Sequence, residues 1–206
     1  MPKKVDHEAR RNQISEALMR LASRGGLEAV SLRDVAAEAG VSMGAVQHYF
    51  KSKDEMLEHA MEHVNSRAEQ RIRSRFDVAD RVPRPREVIR TLMLEMLALS
   101  EESRTEFLTA VSFFVRASVS PRLAEIYRRD WPQLEQWVAA ELRRAQEAGE
   151  LAADRDLQLE AELLVTVPDG LSFGLLLGHR SPERAVAAVD HYLGRLFGDS
   201  GSGSSA

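Results

Sequence analysis

Apolar residues recur along this chain every three or four positions, the spacing that places them on one side of an α-helix. Nowhere do they alternate with polar residues as a half-buried strand requires, and Gly and Pro fall between the periodic segments. The pattern predicts an all-α fold of about nine helices. The first spans residues 8–24, with Ile14, Ala17, Leu18, Leu21 and Ala22 on one face, and stops at Gly25-Gly26. Three short helical segments follow. Ser31 with Asp34, and Ser52 with Glu55, have the spacing of capping boxes and set two helix starts. A longer helix then turns Met56, Leu57, Ala60 and Val64 inward and continues to Phe76, before the break at Pro83 and Pro85. Further helices are expected over 86–101, 104–119, 122–148, 155–179 and 182–197, with Pro132 and Pro168 kinking or interrupting the stretches that contain them. The Gly/Ser-rich end, 199–206, reads as a flexible tail.

Within this frame, residues 32–50 read as helix, tight turn, helix. Ala36 is small where two helices cross, Gly40 takes the left-handed turn conformation without a Cβ penalty, and Val35, Ala39, Val41, Val46 and Phe50 point inward. Ser42 caps the second helix. Met43, Gly44, Ala45, Gln47, His48 and Tyr49 are left toward its exposed side, where small residues permit close approach to DNA and longer ones reach base edges or phosphates.

Charge sharpens this reading. The 206 residues carry a net charge of −4, which alone argues against a nucleic-acid ligand. Residues 1–53, however, hold nine Lys/Arg against six acids, or +3, leaving −7 on the rest. Only the basic end can approach a phosphate backbone. With 44% hydrophobic residues the chain can bury a proper core, no stretch is long enough to span a membrane, and a cytoplasmic location is expected. The absence of cysteine removes disulfides, thiol catalysis and cysteine-bound metals, and the sequence calls for no cofactor and no metal.

Residues 12–61 resemble the DNA-binding region of the TetR family of bacterial repressors. The resemblance is carried by Val30-Ser31-Leu32-Arg33-Asp34-Val35-Ala36, by Ala39-Gly40-Val41-Ser42-Met43-Gly44, by His48-Tyr49-Phe50, and by Lys53-Asp54-Glu55 with Leu57. It implies that Arg33, Tyr49 and Lys53 hold phosphates, leaving Met43, Gln47 and His48 to contact bases; the basic N-terminal residues Lys3, Lys4, Arg10 and Arg11 would reach toward an adjacent groove. Many relatives have Tyr where this chain has Gln47, so the operator preference is left open.

The same resemblance implies a DNA-binding domain over 1–53, a connector helix over 54–76, and a ligand-binding and dimerisation domain over 77–198. A homodimer pairing its last two long helices would place Leu164, Leu171, Leu175, Val186, Val189 and Leu193 at the interface. Met93, Met96, Phe107, Val111, Phe114, Trp131 and Trp137 form a soft, aromatic-rich set suited to an adaptable apolar pocket for a hydrophobic or amphipathic effector. Glu95, Arg116 and Asp169 are charges in apolar contexts that either recognise the effector's polar group or face solvent; Asp169, after Pro168, alternatively caps a restarted helix.

The expected function is a repressor that a small molecule releases from a palindromic operator, with an activator or co-repressor-dependent regulator of the same fold as the alternative. A remote enzyme reading comes from His59-Ala60-Met61-Glu62-His63, which has the H-x-x-E-H spacing of inverted zinc peptidases but no convincing third ligand. No Gly-rich phosphate loop or nucleophile elbow supports another enzyme class.

Overall fold

The computed structural model describes residues 3–77 and 82–198. Among these residues there are nine α-helices and one 3-10 turn, and no strand. The helices are α1 (Lys3–Gly25), α2 (Leu32–Glu38), α3 (Met43–Tyr49), α4 (Lys53–Asp77), α5 (Pro85–Glu95), α6 (Glu101–Ala117), α7 (Pro121–Glu147), α8 (Leu157–Leu176) and α9 (Pro182–Phe197); the 3-10 turn is Leu27–Ala29. The expected tail, 199–206, lies outside the described residues.

The starts of the short helices follow the capping chemistry of the sequence. Ser31 Oγ accepts from the Asp34 backbone N–H while the Asp34 carboxylate accepts from the Ser31 N–H, closing a capping box on α2. Ser42 Oγ accepts from the Ala45 N–H at the head of α3. At Ser52 the box is only half formed: its hydroxyl accepts from Glu55 N–H, but the Glu55 carboxylate reaches the Lys51 N–H instead of that of Ser52.

Two expectations about proline are corrected. Neither Pro132 nor Pro168 interrupts its helix, the stronger of the two expected effects; α7 and α8 run through them. Each removes one backbone hydrogen bond from a long ladder, and at Pro168 burial of the ring offsets that loss. Because α8 is continuous and its cap is Asp156, which accepts from the Gln158 and Leu159 N–H groups, Asp169 caps nothing.

The described residues divide into two compact units. Those up to Gln70 together with Arg104–Arg128 form the first, and Arg71–Ser103 together with those from Arg129 onward form the second. This differs from the expected partition into 1–53, 54–76 and 77–198. The break at Pro83 and Pro85 reads as a junction locally, but Phe113, Ala117 and Leu123 bury themselves with Ile14, Leu18, Val35, Val46, Phe50, Met56 and Leu57, so the α6–α7 corner belongs to the core of the first unit. The second unit has a separate core of Ile89, Leu92, Met93, Leu97, Val138, Leu142, Leu164, Val165, Val189 and Leu193, drawn from α5 and its C-terminal extension and from α7, α8 and α9. Each large side chain in these cores contributes about 1.5–3 kcal/mol by leaving water.

Candidate nucleic-acid interface

The first unit builds a helix-turn-helix. At the end of α2 the Val41 N–H donates to the Ala36 carbonyl at 3.0 Å and the Gly40 N–H to that of Ala37 at 3.1 Å, a Schellman closure that needs one residue in the left-handed region. Gly40 is that residue, at φ +64°. The chain leaves this turn directly into Ser42 and α3. Val46 is fully buried beneath α3, whereas Met43, Gly44, Gln47 and His48 are exposed and Ala45 and Tyr49 half-buried. Arg33, near the start of α2, is also exposed. Arg33, Met43, Gly44, Gln47 and His48 are thus exposed within one motif, with Ser42 occupied as a cap.

Lys53 differs in part. Its ammonium donates to the Leu27 carbonyl at 3.1 Å and ties α4 to the 3-10 turn, leaving two of its three N–H donors for a phosphate. For the basic N-terminal arm, the Arg10 and Arg11 half of the expectation is corrected. Arg10 donates to Gln13 Oε1 at 2.8 Å, and Gln13 Nε2 donates to the Ala39 carbonyl at 2.7 Å, at the C-terminal end of α2. Arg11 donates to the Tyr49 carbonyl at 3.3 Å and lies 4.5 Å above the Phe50 ring, with Glu55 Oε1 at 3.8 Å. Gln13, steadied by Arg10, therefore ties α1 to α2, and Arg11 ties it to α3, where a cation at the helix C-terminus is favoured. The side chains of Lys3 and Lys4 lie outside the described residues. Sequence reasoning missed Gln13 and the Arg20–Glu38 ion pair at 2.7 Å, which also binds α1 to α2, because nothing local marks a long-range partner.

The H-x-x-E-H segment is likewise absorbed into packing. His59 is buried, with Nδ1 2.9 Å from Ser15 Oγ and its ring edge-on to Phe50 at 5.5 Å; His63 Nε2 is 3.2 Å from Glu16 Oε1. Both rings bind α4 to α1, and among the described residues no three His, Asp or Glu side chains gather as a metal site. Burial, with Arg11 beside it, pushes His59 below the ordinary histidine value of 6.5. The fold favours neutral imidazole, so its contribution to stability is complete above 6.5 and lost as pH falls below that value. The melting temperature is expected to drop below pH 6.5, and more gently in His59→Gln; equal slopes in both proteins would place the acid sensitivity elsewhere.

The ligand candidates do not fall in one unit. Phe107, Val111 and Phe114 belong to the first, where Phe114 meets the Tyr127 ring at 4.8 Å; Met93, Met96, Trp131, Trp137 and Asp169 belong to the second. There Met93 is sealed in the core, Met96 and Trp131 pack against it, and Trp137 is exposed. Two of the three singled-out charges are engaged within the chain: Glu95 with Arg71 (2.8 Å) and Arg75, and Arg116 with Asp54 (2.8 Å). Asp169 is the exception. Among the described residues no hydrogen bond or ion pair meets its carboxyl, and burial pushes its pKa up to about 6.

The dimer candidates are also corrected. Leu164, Val189 and Leu193 are fully buried and Leu171 nearly so in the core of their own unit, and Leu175 packs against that core while Val186 is half-buried, so the first four have no surface for a partner. What α8 and its C-terminal cap residue expose instead is Leu159 (57%), Leu163 (51%), Phe173 (46%) and, at the cap, Leu177 (77%). With Thr166 and Gly170, also exposed, these follow a 4-3-4-3-4 spacing and so line one face of the helix.

Comparison with known proteins decides what this architecture is. Residues 14–60 match the family model described as bacterial regulatory proteins, tetR family, and residues 85–198 match that of the BetI-type transcriptional repressor, C-terminal. The chain belongs to the TetR family. Among TetR-family relatives, the regulator PksA of Bacillus subtilis is 33% identical over 86% of this chain and 83% of its own length, and the regulator BetI of Burkholderia cenocepacia is 29% identical over 93% and 95%. A transcriptional regulator from Rhodococcus has a solved structure that superposes with a TM-score of 0.76 at 30% identity, covering 90% of this chain and 95% of that one. Another, from Saccharomonospora viridis and solved in complex with choline, superposes with a TM-score of 0.75 at 24% identity, covering 90% and 93%. As a TetR-family member the protein is a DNA-binding transcriptional regulator, and among its described residues no helix is long and apolar enough to cross a membrane.

Proposed function

We propose that the protein is a homodimeric repressor of the cytoplasm that an amphipathic small molecule with a cationic head releases from a palindromic operator. The observation that carries the DNA part is the exposed face of α3, whose opposite face is sealed by Val46 in the core of the first unit. Gln47, Met43 and His48 read bases there, while Arg33, Tyr49 and Lys53 hold phosphates. A single α3 presents only two helical turns, so specific binding calls for a second copy, and the α8 stripe supplies the self-complementary apolar face for it. In a duplex enriched from random-sequence DNA by the purified protein, Tyr49→Phe is expected to weaken binding to all sequences. Gln47→Ala should instead change which sequences are enriched, and equal losses on enriched and unrelated duplexes would remove Gln47 from the base-reading set.

The effector's charge follows from Asp169. A carboxylate half-buried without a partner is costly, and a cationic head supplies the missing counter-charge, as choline is held by a structural relative. Release follows if the effector binds the DNA-incompetent state more tightly; the helices shared by the two units, α4, α6 and α7, are the route for it. Within the first unit, the α6–α7 corner grips α4 through Arg116–Asp54, Ser120–Asp54 at 3.3 Å and Arg122–Glu58 at 2.6 Å. The Asp169 value lies above the ordinary 3.8, so stability is lost as pH rises toward about 6. Asp169→Asn is expected to raise the melting temperature by a few degrees at pH 7.5, with little change at pH 4, and to abolish release of the operator by quaternary ammonium alcohols. Equal release from both proteins would mean that Asp169 does not hold the cation.

A further inference from the structure

Two side chains of α1 converge on Tyr49 from one direction. His7 and Arg11 are four residues apart and therefore share a helix face, one turn above the other. The His7 ring meets the Tyr49 ring edge-on, with centroids 4.7 Å apart and planes at 60°, while Arg11 donates to the Tyr49 carbonyl and braces itself on the Phe50 ring and against Glu55. Tyr49 also meets the ring of its neighbour His48, with centroids 5.1 Å apart and planes at 84°. Tyr49 is thus held at its backbone and met at its ring by two other rings, although it stands at the last residue of a seven-residue helix.

We propose that His7, with Arg11 behind it, is a positioning residue for DNA binding: it presets the Tyr49 ring so that its hydroxyl is aimed at a backbone phosphate before DNA arrives. The proposal rests on the reading of Tyr49 as a phosphate contact. A half-buried tyrosine at a helix end rotates about two side-chain torsions, and fixing them on binding costs affinity. An edge-to-face ring contact that already selects the bound rotamer removes that cost. Arg11 restrains the carbonyl of the same residue and so holds the last turn of α3 from which the ring projects. His7 and Arg11 of α1 therefore act on DNA through Tyr49. His7 itself is exposed, so the fold does not depend on it.

The test is a double-mutant cycle on a duplex enriched from random-sequence DNA by the wild-type protein, followed by fluorescence anisotropy at one fixed salt concentration. His7→Ala is expected to weaken binding about fivefold, and His7→Phe, which keeps a ring edge against Tyr49, to stay within about twofold of wild type. Added to Tyr49→Phe, His7→Ala should cost less than about twofold more, because the hydroxyl it positions is gone. An unchanged affinity in His7→Ala, or the same fivefold loss on the Tyr49→Phe background, overturns the proposal while leaving the Tyr49 contact standing. If Tyr49→Phe itself binds as tightly as wild type, the phosphate contact falls and the proposal with it. Thermal melting of His7→Ala is expected to match wild type; should it not, the contrast between His7→Phe and wild type decides alone, a loss beyond about twofold counting against the proposal.

Discussion

Replacing Leu163 with Glu is expected to leave the protein folded but monomeric at micromolar concentration and to weaken operator binding by about 10²-fold or more. Leu163 stands half exposed at the middle of the α8 stripe, so within one chain a carboxylate there remains in water. In the proposed dimer the same carboxylate would be forced into an apolar seam near its counterpart from the second copy, so that desolvation and like-charge repulsion would both oppose association. Operator affinity falls with it because a second half-site binds tightly only when the first tethers it. Light scattering coupled to size exclusion checks the first half of the expectation and a gel-shift titration the second. A variant that remains dimeric would show that the exposed stripe is not the interface.

The neighbouring residue is expected to behave in the opposite way. Leu164 is fully buried in the core built from α5, α7, α8 and α9, and Leu164→Ala should lose about 2–5 kcal/mol of stability, since the site keeps a cavity after relaxing only in part. Urea unfolding at fixed protein concentration measures this, and the fraction still folded should remain dimeric. A loss below about 1 kcal/mol, together with weakened association, would return Leu164 to the interface where the sequence had placed it.

That contrast shows where sequence reading stops. Leu163 and Leu164 are adjacent and chemically identical, and α8 is apolar over so much of its surface that periodicity cannot separate the face packed on its own chain from the face left for another. The helix-turn-helix was legible because its signals are local: Ser31 with Asp34, Gly40 in its left-handed turn, and Ser42 before α3 are each dictated by backbone chemistry within a few residues. Arg10 and Arg11 were misread as a free arm because a charge in a sequence carries no direction, and only the fold shows the Ala39 and Tyr49 carbonyls waiting for α1. The α6–α7 corner was misassigned for a related reason. The prolines at 83 and 85 mark a local break, whereas the burial of Phe113, Ala117 and Leu123 with α1 to α4 is a long-range fact with no local trace. Pro168 adds that a disfavoured residue is accepted inside a helix when the core holds its ring.

Selection of random duplex DNA by the wild-type protein at a defined salt concentration tests the central claim most directly, since phosphate attraction alone enriches no sequence. The account predicts an enriched inverted repeat whose half-sites are separated by about one helical turn or a multiple of it. Recovery of no sequence, or of a single unrepeated half-site, would contradict a paired helix-turn-helix reading two faces of one operator.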